Sequence, residues 1–271
     1  MKSIVLVVLA LAVLAQADRD LSKFTPKHIT VRPKRPAPIP RIVGGQEANR
    51  HQFPHQCALF IDGGSFCGCS VIDSKTILTA AHCVDGARSV EVVCGAHNIR
   101  QEESTQQVRK SSDLKVHEGW DSWQIINDVA LIHLSEPLEL NDQVQPIDLY
   151  GGSDTLDGQQ ATVSGWGRPS DSSSGISDVL RHVSNDIISN KVCESYYGSL
   201  PESVVCLNGQ GGRGSCNGDS GGPLIHDNLD GGKKEVGVVS FGSAFGCAIG
   251  YPSAYSRVSH FLSWINQNRK A

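Results

Sequence analysis

From Ile42 onward the chain is a succession of short aliphatic and β-branched runs, each broken within a few residues by Gly, Asn, Asp or Ser. Residues 56–61, 89–93, 129–134, 161–163, 223–226 and 236–241 are examples. Strands at that spacing, with few helical periods between them, fit an all-β sandwich or barrel. The one convincing helix is at the end, where Val258, Phe261, Leu262, Trp264 and Ile265 fall at helical spacing. Such a stripe is read as packing on the barrel rather than binding a partner. Residues 170–174, four of them serine, read as a loop. Length alone allows one or two domains, and β barrels often exceed about 200 residues as one unit.

What precedes Ile42 is different in kind. Residues 18–41 carry seven Lys or Arg against two Asp and end Arg32-Pro33-Lys34-Arg35-Pro36-Ala37-Pro38-Ile39-Pro40-Arg41. Prolines remove backbone donors and like charges repel, so this piece is expected to be an extended arm without its own core. Ahead of it stand Met1, Lys2 and Ser3, then 12 apolar residues from Ile4 to Ala15, then Gln16-Ala17. That order predicts a secretory signal peptide over residues 1–17. A membrane anchor needs roughly 20 apolar residues, and Asp18, Arg19 and Asp20 follow at once.

Residues 42–271 hold 16 basic and 26 acidic side chains, a net of −10 with His neutral. A body that acidic argues against a nucleic-acid partner, because phosphate binding depends on clustered cations. Its plain meaning is solubility in an extracellular fluid. Export also decides how the nine cysteines are read. In an oxidising compartment they are bridge partners, and an odd number leaves at least one over.

Three short stretches carry chemistry: Thr79-Ala80-Ala81-His82-Cys83, Asn127-Asp128-Val129-Ala130-Leu131 and Gly218-Asp219-Ser220-Gly221-Gly222-Pro223. Alone, each has a bland reading as a packing histidine, a turn aspartate or a loop. Together, in this order, in an exported β-rich chain, they resemble the chymotrypsin-type (trypsin-like) serine proteases. The resemblance covers essentially all of Ile42 to Ala271. Within the family it is closest to arthropod chymotrypsin-like and collagenolytic enzymes. The stretches Cys94-Gly95-Ala96-His97-Asn98-Ile99-Arg100, Gly175-Ile176-Ser177-Asp178-Val179-Leu180-Arg181 and Gly250-Tyr251-Pro252 carry that finer likeness.

The resemblance implies two six-stranded antiparallel β-barrels with a C-terminal helix. It implies that Ser220 attacks the scissile carbonyl, that His82 is general base and then acid, and that Asp128 fixes its tautomer. The N–H groups of Gly218 and Ser220 would form the oxyanion hole. Residues 18–41 become an activation propeptide, residues 42–271 the protease domain. Cutting after Arg41 would free the α-ammonium of Ile42 to pair with Asp219, a buried charge being tolerable only when paired. Arg41 in turn implies an activating trypsin-like protease. Bridges Cys67–Cys83, Cys193–Cys206 and Cys216–Cys247 match family positions, whereas Cys57, Cys69 and Cys94 depart from it. An extra bridge between Cys57 and Cys69, on successive strands of a hairpin, and buried free thiols are both open readings. No metal or cofactor is expected.

By the same resemblance Gly214 sits at the base of the primary pocket with Ser215 beside it, and Gly242 and Ser253 line its walls. An uncharged, open slot favours large apolar residues before the cut. Collagenolytic crustacean relatives carry an Asp where Ser253 stands, which separates this chain from their acceptance of basic residues. Substrate backbone is expected to pair against Ser240-Phe241-Gly242 as an added strand. The function expected is a secreted, digestive endopeptidase with chymotrypsin-like specificity, monomeric, met by protein substrates and protein inhibitors and not by membranes. A non-catalytic binding protein on the same scaffold would ordinarily have lost a triad member. A narrow cascade protease is the third reading, and the short arm without an accessory domain favours digestion over it. Asn-x-Ser/Thr is absent, so no N-glycan is expected.

Overall fold

The computed structural model describes residues 18–34 and 45–270. Residues 1–17, expected to be a signal peptide, and Arg41 and Ile42 at the expected cleavage point lie outside the described residues. In chain order the first strands are β1 (Thr25–Pro26), β2 (Ile29–Val31), β3 (Gln46–Glu47), β4 (Gln56–Ile61), β5 (Ser65–Val71) and β6 (Thr76–Thr79). Then come β7 (Val90–Cys94), β8 (Gln107–Ser111), β9 (Asp113–Val116), β10 (Ala130–His133), β11 (Asp148–Leu149) and β12 (Gln160–Gly165). The last are β13 (Arg181–Ile188), β14 (Val204–Leu207), β15 (Pro223–Leu229), β16 (Gly232–Ser243) and β17 (Ser253–Arg257). Three α-helices interrupt them: α1 (Ala81–Val84), α2 (Asn190–Tyr197) and α3 (Val258–Asn268).

Each short apolar run of the sequence became a strand because two sheets curl over apolar clusters and bury it. The first sheet runs β8-β7-β4-β5-β6-β10-β9 and curls without closing. The second runs β16-β15-β12-β13-β14-β17, and the β16–β17 pairing closes it into a six-stranded barrel. All these pairings are antiparallel, as expected. Strands β1, β2 and β11 add parallel ladders at the rims. α3 lies where the terminal stripe placed it, with Val258, Phe261 and Ile265 buried and Leu262 and Trp264 partly so. The two sheets meet along a polar seam, where Ser164 donates a hydrogen bond to Gln56 Oε1 (2.7 Å). Gly68 N–H there donates to the Ser220 carbonyl (2.7 Å).

Four bridges pin this frame. Cys67–Cys83, Cys193–Cys206 and Cys216–Cys247 join the pairs the resemblance implied. The fourth is Cys57–Cys94, and Cys69 is a buried free thiol. Of the two open readings, then, each holds in part: there is an extra bridge, with a different partner, and one free thiol. Cys57 lies opposite Cys69 on β5 and opposite Cys94 on β7. A residue in an antiparallel sheet points its N–H and C=O to one side only, so it is hydrogen-bonded to one neighbour and not to the other. Non-hydrogen-bonded pairs are the closer ones, near about 4.5 Å between Cα atoms. The Cys57–Cys94 separation of 4.4 Å marks it as that pair, which brings the two sulfurs within reach.

Candidate active site

His82 and Asp128 are brought together at the seam by two local devices. β6 ends at Thr79, and the single turn α1 that follows carries His82 and is tied to β5 through Cys67–Cys83. Asp128 stands at the entry to β10 after Asn127, whose φ of 56° turns the chain and whose amide donates to the Gly119 carbonyl (2.7 Å). Asp128 is buried and receives four hydrogen bonds. Its Oδ1 accepts from His82 N–H (2.9 Å), and its Oδ2 pairs with His82 Nδ1 (2.8 Å) and accepts from Ser240 Oγ (2.6 Å). Ser256 donates to its backbone carbonyl (2.7 Å). Burial alone would raise the Asp128 pKa, but the His82 charge and these donors outweigh it and hold the carboxyl below the usual aspartate value. The pair therefore fixes the imidazole by one nitrogen and leaves Nε2 free for chemistry.

Ser220 lies across the seam from His82, fully buried. The Cys83 sulfur, beside His82, is 3.6 Å from the Ser220 carbonyl oxygen and 3.9 Å from His82 Nε2. Ser220 Oγ has no hydrogen-bond partner among the described residues. The turn that presents it depends on glycine. Gly218 has φ 100°, and a Cβ there would stand 2.8 Å from Ile176 Cγ2. Gly221 has φ 78°, and a Cβ would stand 2.2 Å from Thr79 Oγ1. Both positions are left-handed and crowded, so only hydrogen fits.

Asp219 points the other way, into the second barrel. Its Oδ1 accepts from Gly167 N–H (2.7 Å) and its Oδ2 from Cys216 N–H (2.9 Å). A Cβ on Gly165 or Gly167 would lie 2.2 or 2.4 Å from the carboxyl group. The glycines flanking Trp166 are thus what admits it, a role the sequence reading missed although Gly165-Trp166-Gly167 was its visible sign. Burial pushes the Asp219 pKa up to about 6 against those two donors. The residual exposure of Asp219 is onto a small cavity of about 40 Å3, which Gly45, Gly165, Gly167 and Gly214 also line.

The expected pocket residues converge as well. A Cβ on Gly214 would be 3.0 Å from Ser253 Oγ, and Ser253 shares a hydrogen bond with Tyr255 (2.9 Å). Ser215 is buried beside them. Phe241 and Gly242 continue β16 past the seam. The Ser240 side chain has a further role, donating to the Asp128 carboxylate, which leaves its backbone on the strand edge. Two groups of potential metal donors, Cys67 with His82 and Cys83, and Asp171 with Cys216 and Cys247, have their sulfurs committed to bridges.

Residues 42–265 match the model of the Trypsin family. The chain belongs to the trypsin family of serine endopeptidases. It is 50% identical over 224 residues to Brachyurin of Leptuca pugilator, covering 83% of this chain and 96% of that one. It is 40% identical to Chymotrypsin of Phaedon cochleariae, covering 97% and 96%. Its fold matches the solved structure of HL collagenase with a TM-score of 0.74 at 37% identity, over 84% of this chain and 98% of that one. The likeness to arthropod chymotrypsin-like and collagenolytic enzymes expected from sequence is thereby met.

Proposed function

We propose that this chain is the precursor of a secreted, digestive endopeptidase that forms an acyl-enzyme on Ser220. The doubly bonded Asp128–His82 pair, brought to the Ser220 loop by Cys83, whose sulfur lies 3.6 Å from the Ser220 carbonyl oxygen, carries the reading. An alcohol is a weak nucleophile while it keeps its proton, and His82 Nε2 is the nitrogen left to act as its base. His82 takes that proton as Ser220 attacks, then returns it to the leaving amine. Asp128 holds the tautomer and stabilises the imidazolium. The N–H groups of Gly218 and Ser220 receive the charge on the tetrahedral oxygen.

Activation follows from Asp219. Hydrolysis of the Arg41–Ile42 bond leaves an ammonium on Ile42, three residues from Gly45, which lines the Asp219 cavity. A buried carboxyl raised to about 6, held by two amides, is a site that a cation would stabilise. A neighbouring trypsin-like protease supplies the cut. The pocket of Gly214, Gly242 and Ser253 carries no carboxylate at its base, which favours Phe, Tyr, Leu or Met before the scissile bond. The domain limits are then 1–17, 18–41 and 42–271. The four bridges, and the lack of a long apolar helix among the described residues, suit an extracellular fluid.

Cleaving the purified precursor after Arg41 and profiling peptides varied at the residue before the cut tests this, beside a Ser220→Ala control. Activity that appears on cleavage, prefers large apolar residues and vanishes in the control is expected. No activity after clean cleavage would defeat the proposal, and a preference for Lys or Arg would defeat the pocket assignment.

A further inference from the structure

The cleft in front of Ser220 is not open. Residues 18–34 cross it as an extended strap that makes its own ladders on both sheets. Arg19 stacks over the Phe60 ring (4.6 Å) and pairs with Glu91 (3.3 Å). Phe24 meets Phe60 edge-on at 4.7 Å. β1 then runs parallel to β5, with Thr25 opposite Ser65 and Pro26 opposite Phe66. Lys27 N–H donates to the Phe66 carbonyl (2.9 Å), and its ammonium donates to the carbonyl of Cys83 (2.7 Å), the residue after His82. Pro26 Cβ lies 3.5 Å from where a Cβ on Gly218 would stand, and the His28 ring 3.2 Å from the same point on Gly242. β2 continues parallel to β16, with Ile29, Thr30 and Val31 opposite Phe241, Gly242 and Ser243. Lys34 N–H closes the strap on the Tyr196 carbonyl (2.8 Å).

We propose that residues 18–34 are a ligand of the substrate cleft in their own right, a basic peptide that fills it from Phe66 to Ser243 in the parallel sense and blocks it without being cut. The strand edge it occupies, Phe241 and Gly242, is the one on which substrate backbone is expected to pair. Alternation decides how it holds: Ile29 and Val31 pack on the apolar cluster around Phe241 while Thr30 faces out. The arm residue against Gly218 is a proline, which has no N–H and a fixed φ. No arm carbonyl accepts from Gly218 or Ser220 N–H among the described residues, so no peptide bond is polarised for attack. Burial and the charge of His82 pull the His28 pKa down to about 4, which keeps a second cation out of the cleft. Charge complements shape. Residues 18–34 carry five Lys or Arg and two Asp, a net of +3, against −10 on the body.

The consequence rests on the precursor reading above. No cysteine lies in residues 18–41, so once the Arg41–Ile42 bond is hydrolysed nothing covalent keeps the arm. It stays by affinity, and activity rises only as it is diluted away or digested. This adds to the Asp219 switch a second silencing device that acts in trans.

The test uses the cleaved full chain, freed of its arm, and a fluorescein-labelled synthetic peptide of residues 18–34. Saturable binding by anisotropy is expected, displaced by a substrate peptide and weakened by raising the salt from about 50 to about 500 mM. In the activity assay the unlabelled peptide raises apparent KM about tenfold at a concentration about ten times its Kd, leaves kcat unchanged, and is recovered intact by mass. A scrambled peptide of equal charge, and one with Val31→Pro, which loses the N–H on the side where the Val31 carbonyl accepts from Ala244, bind about tenfold or more weakly. Absence of saturable binding, binding that substrate does not displace, or rapid cleavage within residues 25–31 overturns the proposal. A cleaved chain that turns over no peptide defeats the protease reading instead, and the anisotropy titration still decides this one.

Discussion

Asp128 grips His82 at two points at once, its Oδ1 on the backbone N–H and its Oδ2 on ring Nδ1, at 2.9 and 2.8 Å. The backbone bond fixes the turn α1 and the ring bond fixes the tautomer, so orientation and proton placement come from one buried carboxylate. Asp128→Asn keeps the volume, and its Oδ1 can still accept from the backbone. An amide NH2 facing Nδ1 forces that nitrogen to become the acceptor, which puts the proton on Nε2 where a base is needed. In the chymotrypsin template the same change costs on the order of 10⁴ in turnover. A loss of that order, with the thermal midpoint nearly unchanged, is expected from steady-state kinetics and calorimetry on the cleaved protein.

Ser240 donates to the same Oδ2 and so draws charge from it. Ser240→Ala removes that donor and leaves Asp128 more negative toward the ring, which favours the imidazolium. The acid limb of the kcat/KM profile is expected to move to higher pH, with turnover above that limb falling about tenfold or less. A limb that stays in place would show that Ser240 only packs.

As a proposed oxyanion donor, Gly218 would couple backbone and chemistry. Its φ of 100° is one that a side chain opposes, and a Cβ would meet Ile176 Cγ2 at 2.8 Å. Gly218→Ala is expected to turn the N–H away from the oxyanion position and cost on the order of 10²–10³ in turnover. Stability should fall by about 1–3 kcal/mol. Phosphonylation of Ser220 by an aryl phosphonate, in which Oγ attacks phosphorus and expels the aryloxide, should slow in parallel when followed by mass.

Much of this was legible before any coordinates. The run at residues 56–61 became β4 with the same bounds, and that at 236–241 became the apolar half of β16, whose polar start at Gly232 shows no strand signal. The terminal stripe became α3 because spacing of three and four residues needs no tertiary information. The positions of His82, Asp128 and Ser220 were readable through their motifs, whereas Ser240 was not assigned to Asp128. A contact spanning 112 residues between two sheets leaves no local trace. The partner of Cys57 was equally out of reach, since choosing Cys94 over Cys69 depends on which side of β4 is hydrogen-bonded. Over its described part, residues 18–34, the arm is extended as read, apart from one 3-10 turn at Leu21–Lys23. That it lies in the cleft could not be read, because Pro-rich basic composition says only that a segment has no core of its own.

Cys69 offers a direct check of the bridge pattern. It is buried and free, and burial, followed by the nearby Glu235 charge, raises its pKa well above the ordinary thiol value. Native protein is expected to show no reactive thiol toward a disulfide reagent, and denatured, unreduced protein to show one per chain. Alkylation followed by peptide mapping should place the label on Cys69. Label on Cys57 or Cys94 would break the assigned pairing.

Glu235 is the largest unused charge inside the molecule. It is fully buried on β16, where burial outweighs the opposing Ser70 hydroxyl and pushes its pKa up to about 8. The unfolded chain gives up this proton near 4.5 and the folded chain near about 8. Between those values the native state holds more protons than the unfolded one, so stability falls as pH rises and levels off above the folded pKa. Glu235→Gln has nothing to ionise. Its unfolding free energy should therefore match that of the wild type below the unfolded value and exceed it increasingly up to about pH 8, by on the order of a few kcal/mol. Paired urea titrations of the two proteins across that window measure the difference directly, and other titrating groups cancel between them. A gap that does not grow with pH would mean that Glu235 finds a partner that keeps it ionised.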